Sequence, residues 1–150
     1  MHDVVVIALS TPLLIGIYQD GLLIDTRQSN EKSSEVLPKL FQELLDEFDI
    51  STVVYAKGPG SFMAIKISYI FLKTLAIVDN IRLLATDAFY FNGNRPIKAV
   101  GKLYFVKTSD GIVTVPFNEV QVMTFQLPEV LNLEDFTDET APFYGIGAVG

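Results

Sequence analysis

The residues whose types and spacing best suit binding or catalysis form a glycine-rich turn, Gly58-Pro59-Gly60-Ser61, between a strand-like and a helix-like segment. The two glycines allow a sharp backbone turn, and Ser61 is placed to cap the helix that follows. Free N–H groups at that helix start can hold a phosphate, so the turn is a candidate anion loop. However, the Walker lysine, a third Rossmann glycine and the glycine of a nucleophile elbow are all missing. The pattern therefore favours a structural turn over an anion site.

Most other catalytic chemistry lacks the residues it needs. The chain of 150 residues has no cysteine and one histidine, His2, which excludes disulfides, thiolate sites, histidine triads and multi-histidine metal sites. The first strand-like segment offers only Asp3 at its start, and residues 53–56 offer no acid, which disfavours a metal-dependent nuclease or phosphotransferase. Asp87, just past a strand end, is the best-placed acid, and a helix cap explains it equally well.

The first half of the chain predicts a mixed α/β sheet with flanking helices. Strand-like residues 4–9, 13–18 and 22–26, with an Asp-Gly turn before the third, indicate an antiparallel meander. Apolar residues at helical spacing then predict helices over 34–48 and 62–78, alternating with strands over 52–56 and 82–86. We expect Ser33 or Ser34 to cap the first helix and Pro38 to lie in or near its first turn.

The signal weakens beyond Thr86. A turn cluster over residues 92–96 is the best boundary, and it divides a first lobe, 1–94, from a smaller second lobe, 95–150. For the second lobe we predict strands over 97–107 and 112–116, a strand near 120–125, a short acidic helix near 128–136 and a strand over 143–147.

Charge is unevenly spread along the chain, whose net charge is −7. Residues 1–50 carry a net −6, residues 51–107 a net +6 and residues 108–150 a net −7. The favoured interpretation is that the basic and acidic stretches balance each other's charge within one fold. The alternative is that the basic stretch forms a face for an acidic partner or RNA. A pI near 4.5 argues against strong autonomous nucleic-acid binding. With no targeting signal or membrane span in the pattern, we expect a cytoplasmic protein.

The helix over residues 62–78 is apolar nearly all round and must be buried on several sides. A chain of this length has limited material to cover it, so a partner protein is a serious alternative to internal packing. One face of this helix carries two aromatic residues and two lysines at helical spacing: Phe62, Lys66, Tyr69 and Lys73. Its apolar base and basic side-chain ends suit an acidic partner helix.

The stretch Gly58-Pro59-Gly60-Ser61-Phe62 resembles the signature of the TsaB (YeaZ) family of bacterial proteins, Gly-Pro-Gly-Ser-Phe-Thr-Gly-Val-Arg-Ile-Gly at the opening of a helix. Its first five residues match, and Ile65, Lys66 and Ile67 are conservative changes. Residues 7–12 resemble the family's opening Ile-Asp-Thr-Ser-Thr-Pro, and residues 32–38 resemble its His-Ser-x-x-Leu-Leu-Pro helix start. The resemblance covers residues 4–90.

The resemblance implies an actin-like (ASKHA, ribonuclease H-like) fold with a reduced second lobe. It also implies a non-catalytic partner of TsaD in making tRNA N6-threonylcarbamoyladenosine, with the ATPase TsaE as third component. It implies no cofactor or metal in this chain, only indirect contact with tRNA, and no membrane. The helices over 34–48 and 62–78 would dock against TsaD or against a second copy of the chain. The implied interface residues are Glu35, Lys39, Gln42, Phe62, Lys66, Tyr69 and Lys73.

The chain departs from the family pattern at two positions that bear on function. Ala8 stands where the family has its first-strand aspartate, and Lys32 stands where it has a histidine, which weakens any nucleotide role. Two alternatives remain: an actin-fold small-molecule kinase or glycoprotease-like enzyme, and a homodimer with an unrelated binding role.

Overall fold

The strands of this chain form two sheets, one of five strands and one of three, in a computed structural model that describes residues 1–122 and 124–145. The elements run along the chain as β1 (His2–Ile7), β2 (Leu13–Gln19), β3 (Leu22–Ser29), α1 (Ser33–Glu47), β4 (Ile50–Ala56), α2 (Phe62–Val78), β5 (Arg82–Thr86), β6 (Ile97–Lys98), β7 (Leu103–Thr108) and β8 (Gly111–Pro116). Short 3-10 helices cover Ala88–Phe91 and Leu133–Asp135.

The larger sheet has the strand order β3-β2-β1-β4-β5. Strands β1, β2 and β3 pair antiparallel, whereas β4 and β5 continue the sheet parallel to β1. Asp20 and Gly21 both adopt positive φ, 52° and 80°, in the tight turn that joins β2 to β3. The predicted meander and the mixed sheet with crossover helices are both confirmed.

Helices α1 and α2 cover one face of this sheet. Val36, Leu37 and Phe41 of α1 and Leu72 of α2 are buried against inward-facing residues of the central strands. The two predicted caps of α1 are wrong: Lys32 occupies the cap position without a side-chain bond, and Ser33 and Ser34 lie inside the helix. Pro38 lies in the second turn, where its missing N–H deprives the Ser34 carbonyl of its usual helical partner.

An irregular segment, residues 126–143, crosses the opposite face of the sheet and is here called the strap. It pairs with the edge strand β5 through two backbone bonds between Ala85 and Thr137, of 2.8 and 3.0 Å. Leu131 is buried within the core of that face together with Tyr18, whose phenol donates a hydrogen bond to the Pro128 carbonyl of the strap. Tyr55 lies in the core on the helix side, and its phenol donates a hydrogen bond to the Thr140 carbonyl of the strap. Burial raises the pKa of both phenols, so they hold their protons more strongly than exposed tyrosines do.

The smaller sheet, β6-β7-β8, is antiparallel, and its β7–β8 hairpin was expected from the Ser109-Asp110-Gly111 turn. The single strand predicted over 97–107 is wrong, because a turn at Gly101 (φ 57°) separates β6 from β7. Ile97 and Phe105 nevertheless pack into the same core as β1 and β4. The division into lobes at 94/95 stays a prediction.

The remaining predictions for the second half are also wrong where the structure describes them. Residues 120–122 and 124–125 form no strand, and the predicted helix over 128–136 is reduced to a single 3-10 turn. Of the strand predicted over 143–147, residues 143–145 are irregular, and residues 146–147 lie outside the described part. Within residues 1–122 and 124–145, no helix combines the length and apolarity needed to cross a membrane.

Candidate partner interface

The predicted interface residues lie on the outer surface of the α1/α2 layer. Glu35, Lys39 and Gln42 are exposed on α1, and Lys66 and Lys73 are exposed on α2. Neither α2 lysine forms an ion pair within the described residues. Both amines are therefore available to a carboxylate from outside the chain.

Phe62 and Tyr69, the two predicted aromatic contacts, are half-buried against the chain itself. The Phe62 ring lies 4.3 Å from that of Tyr144, centroid to centroid, and the Tyr69 ring stacks on Tyr55 at 6.2 Å. Part of each ring therefore packs α2 against the rest of its own chain. On this flank of α2 the lysines are exposed and the aromatic rings are half-buried, and its role as a partner interface stays a prediction.

Three apolar residues that the sequence reasoning did not single out form the exposed crest of α2. Met63, Ile70 and Ile77 are 58%, 54% and 72% exposed and follow one another at seven-residue intervals. Two turns of helix separate successive members, so they share one side and are here called the α2 stripe. Lys66 and Lys73 flank the stripe on the side away from α1. The seven-residue spacing was visible in the sequence, but a helix apolar all round does not reveal which side is left uncovered.

An open groove of about 370 Å³ runs between the stripe and α1. Apolar side chains of α2 form one wall, and the start of α1 forms the other; the lining includes Ser34, Pro38, Ile67, Ile70, Phe71 and Thr74. Pro38 contributes its apolar ring to the α1 wall, beside the side chains of Ser33 and Ser34. A partner side chain that contacts the stripe would thus meet a concave apolar surface beside it.

The candidate anion loop is held tightly between β4 and α2. Gly58 adopts a φ of +119°, and a methyl group at its Cα would lie 1.9 Å from the carbonyl oxygen of Phe143 in the strap. Ser61 donates its backbone N–H to the Leu9 carbonyl at 2.9 Å. The prediction that the Ser61 side chain caps α2 is wrong, because it occupies the cap position without a bond to the helix. Gly58 and Pro59 are buried, and the contacts of the loop with Phe143 and Leu9 indicate a structural role.

The acids considered for catalysis are either missing or engaged. Ala8, at the position of the expected aspartate, is buried in the core under the helices. Asp87 accepts a hydrogen bond from the Tyr90 backbone at 3.3 Å and pairs with the Lys107 amine at 2.5 Å. Residues 1–122 and 124–145 contain no group of three or more His, Cys, Asp or Glu arranged to hold a metal ion.

The sequence of this chain matches one curated protein over part of its length. No known family profile matches the chain. A curated relative, tRNA N6-adenosine threonylcarbamoyltransferase from Pyrobaculum calidifontis, is 34% identical over 62 residues, which cover 38% of this chain and 18% of that protein. The match therefore spans less than a fifth of the relative's length.

Two solved structures from Pseudomonas aeruginosa share the fold. YeaZ superposes with a TM-score of 0.64 at 14% identity, over 81% of this chain and 69% of that one. An uncharacterized protein with similarity to peptidase YeaZ superposes with a TM-score of 0.59 at 13% identity, with the same coverage. The resemblance predicted from residues 58–62 is thus confirmed at the level of the fold, and the fold of this chain is that of YeaZ.

Proposed function

We propose that the chain is a non-catalytic subunit of the machinery that makes tRNA N6-threonylcarbamoyladenosine, and that it binds a TsaD-type enzyme through α1 and α2. The observation that carries the proposal is the α2 stripe, an exposed apolar crest on a YeaZ-like fold. An apolar crest rimmed by charged residues is typical of a protein-binding surface. The partial match to a threonylcarbamoyltransferase supports the same pathway.

The proposal includes an actin-like (ASKHA) fold with a reduced second lobe. The order β3-β2-β1-β4-β5, an antiparallel meander extended by two parallel crossovers, supports a ribonuclease H-like first lobe. The three-stranded sheet and the strap are what residues 95–145 supply in place of a fuller second lobe. TsaE is the proposed third component, and the cytoplasm is the proposed compartment.

A supporting rather than catalytic role is consistent with the residues present. Kinase chemistry on this fold needs metal-binding acids, but Ala8 stands in the first strand's acidic position and Asp87 pairs with Lys107. Glycoprotease-like chemistry needs a histidine pair, and the sequence has one histidine. In the proposed complex, the partner supplies the metal and the reacting groups.

Size-exclusion chromatography of the chain with the TsaD protein of the same organism, with and without TsaE and nucleotide, tests the proposal. We expect co-migration, and we expect Ile70→Glu to abolish it because a carboxylate replaces the centre of the stripe. Val120→Glu, at a residue 87% exposed outside both helices, is the matched control and should bind like wild type. Absence of co-migration under every condition would refute the proposed function, and turnover of a nucleotide by the isolated chain would favour the enzyme.

A further inference from the structure

Strand β3 is one edge of the five-stranded sheet, and a free edge offers unpaired backbone groups to strands of other molecules. The strap covers only the beginning of this edge, where Leu23 donates its N–H to the Glu129 carbonyl at 3.0 Å. Over residues 24–29, the outer side of β3 pairs with no other strand in the described part of the chain. Leu22 and Ile24 are 57% and 48% exposed, which adds apolar surface to the edge. The edge therefore has the features of a place where another strand adds on.

The pairing of β3 with β2 determines which of its backbone groups face outwards. Along an antiparallel strand, residues that bond to the neighbouring strand alternate with residues whose N–H and C=O point away. Leu23 points away from β2, because it bonds to the strap. A register shift opposite Ile17 and Tyr18 inserts one extra residue into β3, so the next residue that points away is Thr26. A second strand that extends the sheet here must therefore bond to Thr26.

The side chains on either side of Thr26 occupy both of its backbone groups. Asp25 Oδ1 accepts the Thr26 N–H at 2.8 Å, and Arg27 Nη1 donates to the Thr26 carbonyl at 3.2 Å. Arg27 also pairs with Asp25 at 2.5 Å and with Glu47 of α1 at 3.0 Å, so its position is fixed from two sides. The Arg27 guanidinium and the Thr26 N–H lower the pKa of the Asp25 carboxyl, which keeps it ionised at neutral pH. Asp25 and Arg27 are here called the edge clamp.

We infer that the edge clamp keeps the β3 edge closed to a strand of another molecule, and above all to β3 of a second copy. Antiparallel pairing of two β3 strands about Thr26 would place Asp25 of each copy opposite Arg27 of the other, so charge favours such pairing. The bonds that these side chains form within one chain exclude it instead, because a second strand needs the same N–H and C=O. This edge is separate from the α1/α2 face, so the inference does not depend on the proposed function.

Sedimentation equilibrium of clamp variants tests the inference. Asp25→Thr/Arg27→Thr removes the clamp, favours strand conformation and leaves the net charge unchanged, so its chains should associate at least about tenfold more tightly than wild-type chains. Adding Thr26→Pro removes the outward N–H at a position where an edge strand tolerates proline, and it should restore the wild-type mass. Lys102→Thr/Glu119→Thr makes the same charge change at exposed residues outside β3 and should sediment like wild type.

Hydrogen exchange of the Thr26 amide, measured by NMR, tests the clamp in a single variant that keeps Arg27 and its bond to Glu47. We expect exchange at least about tenfold faster in Asp25→Ala than in wild type, because the amide loses a charged acceptor at an exposed edge. Asp25→Asn keeps an acceptor oxygen and should show a smaller increase. Unchanged exchange in Asp25→Ala would overturn the inference even if the double threonine variant does not fold. So would a folded double threonine variant that keeps the wild-type mass, or association that Thr26→Pro does not reverse.

Discussion

Replacement of Gly58 by alanine is expected to destabilise the chain through the contact between the loop and the strap. At a φ of +119°, a residue with a Cβ is strained by about 1–3 kcal/mol. The added methyl group would lie 1.9 Å from the Phe143 carbonyl oxygen, so the strap must move away. That movement breaks the 2.7 Å bond from the Phe143 N–H to the Lys57 carbonyl, at a cost of about 1 kcal/mol. Together these effects lower the free energy of unfolding by about 2–4 kcal/mol.

Gly93→Ala is the matched control for this substitution. Gly93 also has positive φ, +67°, but no atom lies within 4 Å of a methyl group built on it. Only backbone strain is expected there, about 1 kcal/mol. Urea denaturation measures both variants, and hydrogen exchange should show faster exchange of the Phe143 amide in Gly58→Ala alone. If Gly58→Ala costs no more than Gly93→Ala, the strap does not press on the loop and the reasoning is refuted.

Three further predictions concern buried phenols and the start of α2. Tyr55→Phe leaves the buried Thr140 carbonyl without its donor and should cost about 1–3 kcal/mol in urea denaturation, and an unchanged midpoint would contradict that bond. Because the folded-state pKa values of Tyr18 and Tyr55 are raised, their contribution is complete below the unfolded value near pH 10 and is lost above it. Stability should therefore fall above about pH 10, and less so in the double phenylalanine variant. Ser61→Ala should change the free energy of unfolding by less than about 0.5 kcal/mol. A loss near about 1 kcal/mol would instead indicate that the Ser61 side chain caps α2.

The elements that sequence reasoning placed correctly are those with strong local signals. Helix α2 and strand β5 begin and end at the predicted residues. The Gly58–Ser61 turn and the Asp79-Asn80 pair bound α2 on both sides, and the same pair precedes β5. The strap could not be predicted, since it has no periodicity and is held by distant partners such as Ala85 and Tyr55. Tertiary contacts alone determine its path.

The candidate interface was predicted in part for a similar reason. Charge marks the outer side of a helix directly, so Lys66 and Lys73 were found from their residue type. Ile70 and Leu72 are equally apolar in sequence, yet one is 54% exposed and the other is buried. That difference depends on which side of α2 meets the sheet, which local sequence does not encode in a helix with little polar surface.

The central claim is that the α2 stripe joins this chain to a tRNA-modifying partner. Reconstituted synthesis of threonylcarbamoyladenosine on tRNA, with the TsaD and TsaE proteins of the same organism, tests it most directly. We predict that modification requires this chain. The Ile70→Glu variant should fail to support modification although its thermal stability is unchanged, and the Val120→Glu variant should support full modification. Equal modification with Ile70→Glu, or in the absence of the chain, would contradict the claim.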